Sequence, residues 1–351
     1  MLILQTRGLY RTYRTVPNTC IQTPSNAQQP HRIPAPPVLD PRDASENDCL
    51  TPKGFTCMRA RVSEGVWVDL YNLHADAGTE DAANLRHVCE HITACSDGNA
   101  VLVFGDTNSR YTRASDIPGV FTTTNGMADA WVQLAKGGVA PAAGSNALLC
   151  DNPSPNTTCE IVDKMWYRGS PAFTLAATKF QYAGTQYLNA DGTTLSDHDP
   201  VLVDFKWTVN SKLHVSDPQG GPHGGFYNDL NAVSFKPHLI PLPPPLIHVP
   251  QLKAIASPKA SAITIRGANR VDAVSITLAS GQTFTHGGSG GTANTRIFYM
   301  QVTTSAGRTV AAGTNNGDCV TRTAESGWGV VGFTGRSGDE VDRVALIYGK
   351  L

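Results

Sequence analysis

The chain has 351 residues, with 28 lysines and arginines against 29 aspartates and glutamates and 40% hydrophobic residues. That length accommodates two domains of ordinary size, each with its own core. The near balance of charge excludes the broad electrostatic field of a protein that coats nucleic acid or anionic lipid, so a phosphate-bearing partner has to be handled by a local site. The longest apolar stretches, such as Val101 to Phe104, are too short to cross a bilayer as a helix, and no membrane span is expected.

Residues 1–47 lack apolar periodicity and are rich in Pro, Arg, Thr, Gln and Asn, a composition that does not build a core, so disorder is expected there. Arg7, Arg11 and Arg14 interrupt the apolar start at Met1, and no secretory leader is read. A first domain is expected over 48–208. Val66 to Leu73 reads as a strand, Glu80 to Thr93 as a helix, and Asn99 to Gly105 as a strand buried on both faces. Ile161 to Tyr167 and Val201 to Trp207 read as further strands, which together imply a mixed α/β layer structure. Residues 209–216 are expected to form a linker. From Asp217 a second domain is expected, interrupted by a proline-rich insertion near 239–250 that suits neither helix nor central strand. Beyond Ser257, turns recur in the rhythm of an all-β fold, and Val271-Asp272-x-Val274 is echoed by Val341-Asp342-x-Val344.

Eight cysteines are present. Cys89/Cys95 and Cys150/Cys159 have the spacing of local disulfides, while the pairing of Cys20, Cys49, Cys57 and Cys319 stays open. Asn156-Thr157-Thr158 is a glycosylation sequon inside the Cys150–Cys159 interval. Together these features point to a secreted glycoprotein.

Three polar clusters follow or flank apolar strands: Asn72-Leu73-His74-Ala75-Asp76, Gly105-Asp106-Thr107-Asn108 and Ser196-Asp197-His198-Asp199-Pro200. Hydrolysis of a phosphate ester needs cationic neutralisation of phosphoryl oxygens, donors that hold them, and a group that aligns water, and each cluster offers such residues. With Ile161-Val162-Asp163-Lys164, these segments resemble the endonuclease/exonuclease/phosphatase superfamily, which includes DNase I, from about Gly54 to Trp207. The resemblance implies that His74 donates to the phosphate or leaving oxygen, that Asp106 and Asn108 orient water and phosphate, and that Asp163 supports His198. It makes Asp197 a metal-side carboxylate for Mg²⁺ or Mn²⁺. Asp76 and Arg110 adjoin the motifs as either cleft or surface residues. The family also carries an Asn and a metal-binding Glu on earlier strands, and residues 1–47 match neither. An incomplete DNase I-like α/β sandwich is therefore expected, with an uncovered apolar sheet face and weakened metal binding. His87-x-x-Glu90-His91 fits the inverted zinc-protease pattern, but Cys89 lies within it and no third ligand is evident.

The segments starting at Gly220, Ile263, Thr285 and Gly332 resemble the jacalin-like lectin family, in order, over 217–351. The resemblance implies an all-β prism and a sugar site built from Gly220 or Gly221 and the Gly338-Asp339-Glu340-Val341-Asp342 loop. A carboxylate beside glycine-rich backbone can grip adjacent sugar hydroxyls. The expected whole is an α+β multidomain protein: a secreted, metal-dependent phosphoesterase with glycans and phosphate esters as partners. The alternative is a carbohydrate-binding protein with an inactive phosphoesterase half. No basic, aromatic-lined groove points to nucleic acid, and no exposed apolar loop points to sphingolipid.

Overall fold

The computed structural model describes residues 13–17, 53–77, 81–234, 258–290, 297–315 and 319–351. The expected disorder of residues 1–47, Cys20, Cys49 and the proline-rich run at 239–250 lie outside the described residues, save for strand β1.

The first half is built on a six-stranded sheet in the order β1-β2-β3-β4-β6-β5. These are Tyr13–Pro17, Gly54–Ser63, Val66–His74, Ala100–Asp106, Asp163–Arg168 and Ala128–Asp129 for β1, β2, β3, β4, β6 and β5. Helix α1 (Asp81–Ser96) connects β3 to β4, which run parallel, and β6 returns antiparallel to β4. The apolar runs in β3 and β4 are buried on both faces, as sequence continuity without alternation requires. On one face Tyr71, Leu73, Val101 and Val103 pack against Leu85, Val88 and Ile92 of α1 and Phe121 of α2 (Val120–Asn125).

The opposite face has two covers. At the β6 end, Met165 packs with Trp131 and Val132 of α3 (Ala130–Ala135) and with Phe180 and Val203 of the β7–β8 hairpin (Phe173–Tyr182 and Val201–Val209). Over β3 and β4, Val68, Leu70, Ala100 and Leu102 join one buried cluster with Leu213, Leu230, Leu278, Val331 and Ile347 of the second half. The apolar face expected to lie bare is therefore capped by the second domain. Each large side chain buried there stabilises by about 1.5–3 kcal/mol.

The second half is all-β apart from the short α4 (Leu230–Val233), with three sheets among the described residues. One contains β9 (Leu213–Val215), β10 (Gln219–Gly220), β11 (Gly225–Asn228), β17 (Trp328–Ser337) and β18 (Val341–Lys350). The others are β12 (Ala260–Gly267), β13 (Val271–Leu278) and β14 (Thr283–Gly287), and the pair β15 (Tyr299–Thr303) and β16 (Thr309–Gly313). The repeated Val-Asp-x-Val sequence opens β13 and β18. Residues 213–215, expected in the linker, pair antiparallel with β18 instead. Their apolar-polar-apolar alternation buries Leu213 completely.

One expected disulfide is corrected. Cys89 and Cys95 are not bonded to each other, because α1 runs on through Ser96 and holds both. Six residues along a helix rise about 9 Å, beyond the span of a disulfide. Cys150 and Cys159 are bonded, with Cα atoms 5.7 Å apart.

Asp217 locks the halves together. Its carboxylate accepts hydrogen bonds from Arg61 Nε (3.1 Å) and Nη2 (2.7 Å), the Gly65 amide (3.1 Å) and Trp67 Nε1 (2.9 Å). Burial pushes its pKa up, but these donors outweigh burial and hold it below the usual carboxylate range. Asn228 and Asn231 add hydrogen bonds to Asp97 at the end of α1. Asp217→Asn is expected to cost about 2 kcal/mol at pH 7, since hydrogen bonds to a charged group are lost. A depressed pKa contributes stability that is complete above the unfolded-state value of about 3.9 and is lost as pH falls through the folded value. Urea unfolding should therefore show the gap between wild type and Asp217→Asn closing as pH is lowered.

Candidate functional site

The sheet register assembles the site. His74 ends β3 and is the register partner of Asp106, which ends β4, and Asp106 is in turn the partner of Asp163, which begins β6. Two parallel strands finishing beside the start of an antiparallel one bring three polar residues into a single row. His198, in the loop before β8, completes the group. Its Nδ1 lies 2.6 Å from Asp163 Oδ2, and its Nε2 lies 3.9 Å from Asp106 Oδ2. His74 Nε2 lies 3.2 Å from the same Asp106 oxygen and 2.6 Å from Lys53 Nζ.

The Gly105-Asp106-Thr107-Asn108 turn has a steric reason. Gly105 adopts φ 130°, and a Cβ there would stand 2.0 Å from the Leu73 carbonyl oxygen of the adjoining strand. Asn108 takes a left-handed φ of 48°, which asparagine tolerates better than most residues. Its amide donates to Asp106 Oδ1 (2.8 Å), and its side-chain Nδ2 donates to the Ala75 carbonyl (2.9 Å). Arg113 Nη2 donates to the Asn108 carbonyl, and Arg113 Nε pairs with buried Asp116 at 2.7 Å. The Arg110 amide also donates to Asp116.

His198 is only partly buried. Burial works against its charge, but the hydrogen bond and negative charge of Asp163, with Asp106 and Asp197, carry its pKa above the ordinary histidine value. Burial raises Asp163 more than His198 lowers it.

Among the described residues, Asp106, Asp163 and His198 place ligand atoms within 4.8 Å of one another. Asp197 is not part of that cluster. It is exposed, with its own Oδ1 taking a hydrogen bond from Ser196 Oγ at 3.4 Å. Asp76 caps its own loop by accepting from the Ala77 amide.

Sequence inspection missed the supports of this site. The disulfide-closed loop grips the Ser196–Asp199 segment: Asn152 Nδ2 donates to the Ser196 and His198 carbonyls at 2.7 and 2.9 Å, and buried Asp199 accepts from the Ser154 amide. Glu160 accepts from the Tyr111 amide and Thr112 Oγ1, bracing the turn after Asn108. These are long-range links that no local motif announces. A cleft of about 320 Å³ opens here, with Asn108, Arg110, Asn152, Asp163 and His198 among its walls. Exposed leucines stand on the tied loops: Leu148 and Leu149 before Cys150, and Leu195 before Ser196. Of these, Leu149 is in the wall of the cleft.

The His87-x-x-Glu90-His91 pattern is absorbed by packing. Both imidazoles meet Phe55 edge-on, and His91 Nδ1 lies 3.2 Å from the Tyr71 hydroxyl.

In the second half, Gly338 and Asp339 are exposed in the β17–β18 turn, whereas Glu340 is buried beside Arg270 at 3.2 Å and Asp342 is fully buried. Gly220 and Gly221 meet the Asp342 backbone, with the Gly221 amide donating to its carbonyl at 2.7 Å. Gly224 is the glycine at the carboxylate, since a Cβ there would lie 2.4 Å from Asp342 Oδ2. Asn156 is exposed and accepts from the Thr158 amide.

Residues 216–347 match the jacalin-like lectin domain family. The sphingomyelinases of Mycobacterium bovis and Mycobacterium tuberculosis are 34% identical over 171 residues, covering 48% of this chain and 34% of each relative. The chain spans about a third of the length of these curated relatives. Among solved structures, a humanized D. rerio TDP2 overlaps 44% of this chain and 58% of its own, with 22% identity and a TM-score of 0.31. The human Nocturnin catalytic domain overlaps 45% and 54%, with 17% identity and a TM-score of 0.32. The protein thus joins a mixed α/β half to an all-β half. That second half is a jacalin-like lectin domain, and the first is similar in sequence to sphingomyelinases.

Gly105→Ala should destabilise the protein by about 2–4 kcal/mol, combining a disfavoured φ with a clash against backbone. Equilibrium urea unfolding measures it.

Proposed function

We propose that this protein is a secreted, divalent-metal-dependent phosphodiesterase that works at lipid surfaces, with its lectin domain binding glycans. The observation that carries this reading is the row of His74, Asp106 and Asp163 with His198 closing over it. The sphingomyelinase relatives support a phosphodiester substrate, and the exposed Leu148, Leu149 and Leu195 support an apolar surface beside the cleft. The Cys150–Cys159 disulfide supports an oxidising compartment, and the exposed Asn156 is a fitting glycan acceptor. In the lectin domain, Asp339, Asp342 and the adjoining glycines are the proposed sugar contacts.

The donor set fits a hard divalent ion. Two carboxylates and one imidazole within 4.8 Å match Mg²⁺ or Mn²⁺, which keep several waters and take further oxygens from phosphate. Asp163 is already engaged by His198, so Asp106 is the principal ligand and affinity is low. When bound, the ion supplies charge neutralisation at the phosphoryl oxygens. Asp106, oriented by the Asn108 amide, aligns the attacking water and accepts its hydrogen bond. His198, held at Nδ1 by Asp163, donates from Nε2 in its imidazolium form to a phosphoryl oxygen as negative charge builds. His74 flanks Asp106 on the other side and donates to the leaving oxygen.

His198→Ala should lower metal-dependent hydrolysis of bis-p-nitrophenyl phosphate by about 10²–10⁴-fold. Equal rates would exclude this chemistry and leave a carbohydrate-binding protein with an inactive first half, a reading favoured by the small number of protein ligands at the metal cluster. For the surface, the Leu148→Ser, Leu195→Ser double variant should slow turnover of sphingomyelin vesicles about tenfold or more, from the lost burial of two leucines, with little effect on the soluble ester. An equal effect on both substrates would remove the lipid assignment.

A further inference from the structure

The Val-Asp-x-Val repeat has a counterpart in three dimensions. Asp342, near the start of β18, has its carbonyl against two glycines. A Cβ on Gly220 would stand 2.2 Å from that carbonyl oxygen, and the Gly221 amide donates to it at 2.7 Å. Asp272, near the start of β13, has the same neighbours. A Cβ on Gly287 would stand 2.0 Å from the Asp272 carbonyl oxygen, and the Gly288 amide donates to it at 3.1 Å. The registers agree: Gly220 is the partner of Arg343 and Gly287 of Ala273, in each case the residue after the aspartate. The third sheet repeats this backbone without the acid. Gly313 is the partner of Tyr299, a Cβ on it would stand 2.0 Å from the Phe298 carbonyl oxygen, and the Thr314 amide donates to that oxygen at 2.8 Å. The fold therefore needs the glycine at all three positions but an acid at none, since Phe298 serves in the third.

The two aspartates also share a bare border. A Cβ on Gly224 would come within 2.4 Å of Asp342 Oδ2, and one on Gly290 within 3.0 Å of Asp272 Oδ1. Backbone thus approaches each carboxylate where a side chain would fill the space. Access differs between them. Asp342 is fully buried, whereas Asp272 is partly exposed, and among the described residues no group donates to its carboxylate. The loop beside Asp272 is braced from elsewhere: Arg266 Nη2 donates to the Gly288 carbonyl, and the Gly290 amide donates to the Asp339 carbonyl at 2.7 Å. That second link places Asp272 at the same end of the domain as the Gly338–Asp342 loop.

A carboxylate is an acceptor with two oxygens, and a pyranose ring presents adjacent O–H groups that donate to both. An acid that the fold does not require, and that no internal donor occupies, is open to such a ligand. We propose that Asp272, with the Gly287–Gly290 backbone, is a second sugar site of the lectin domain, taking a hexopyranose with two adjacent free hydroxyls. This rests on the reading of the second half as a working lectin and adds a site to the one at Asp339 and Asp342.

Amide NMR of the full chain during titration with methyl α-mannopyranoside, methyl α-glucopyranoside and methyl α-galactopyranoside tests it. At least one of the three should shift the Asp272, Gly288 and Gly290 amides saturably and leave Thr314, at the Phe298 position, in place. Asp272→Asn, a change at a partly exposed side chain without a partner, should weaken those shifts by about tenfold or more in affinity and leave any response at Gly221 and Asp342 intact. Shifts confined to Gly221 and Asp342 would overturn this site while the lectin reading stands. Unchanged affinity at Gly288 and Gly290 in Asp272→Asn would also overturn it, and no response to any of the three sugars at either site would overturn both.

Discussion

The structure depends on covering the second face of one sheet. Val68, Leu70, Ala100 and Leu102 point away from α1, and a mixed sheet with such a face cannot stand in water. The β7–β8 hairpin covers the β6 end and, through Phe173, Leu175 and Phe205, reaches the cluster over β3 and β4. The second half completes the cover through α4, β9, β13, β17 and β18, and Asp217 seals the edge with four hydrogen bonds from the first half. The lectin domain is thus a structural wall of its neighbour. A single buried cluster crosses the boundary, which makes the two halves one cooperative body.

The same sheet positions the chemistry. Because β3 and β4 are parallel and β6 antiparallel, His74, Asp106 and Asp163 lie in one row without any loop having to find its place. Only His198 arrives on a loop, and that loop is tied by Asn152 and by Asp199 to the segment closed by the Cys150–Cys159 disulfide. Rigid strands supply three groups, and a cross-braced loop supplies the fourth.

Much of this was legible in the sequence. Buried strands declare themselves as continuous apolar runs, and Gly105 and Asn108 mark a turn whose backbone few other residues tolerate. Three things were not legible. Helix α1 ends three residues beyond the expected Thr93, enough to put Cys95 in the same helix as Cys89 and facing a different way. The cap over the open sheet face depends on residues such as Leu230 and Ile347, whose apolar character shows burial but not against what. The exposed leucines Leu148, Leu149 and Leu195 lie in short, separate segments, of which Leu149 reaches the cleft wall only through the fold.

The claim that the lectin domain completes the phosphoesterase half is tested most directly by native-state hydrogen exchange of the full chain in increasing denaturant. Amides of Val68, Leu70, Ala100 and Leu102 on one side, and of Val331 and Ile347 on the other, should open with a common free energy and a common denaturant dependence, as one unit. Opening of the Val331 and Ile347 amides at a distinctly lower free energy, with β3 and β4 still protected, would show that the sheet stands without its cap and contradict the account.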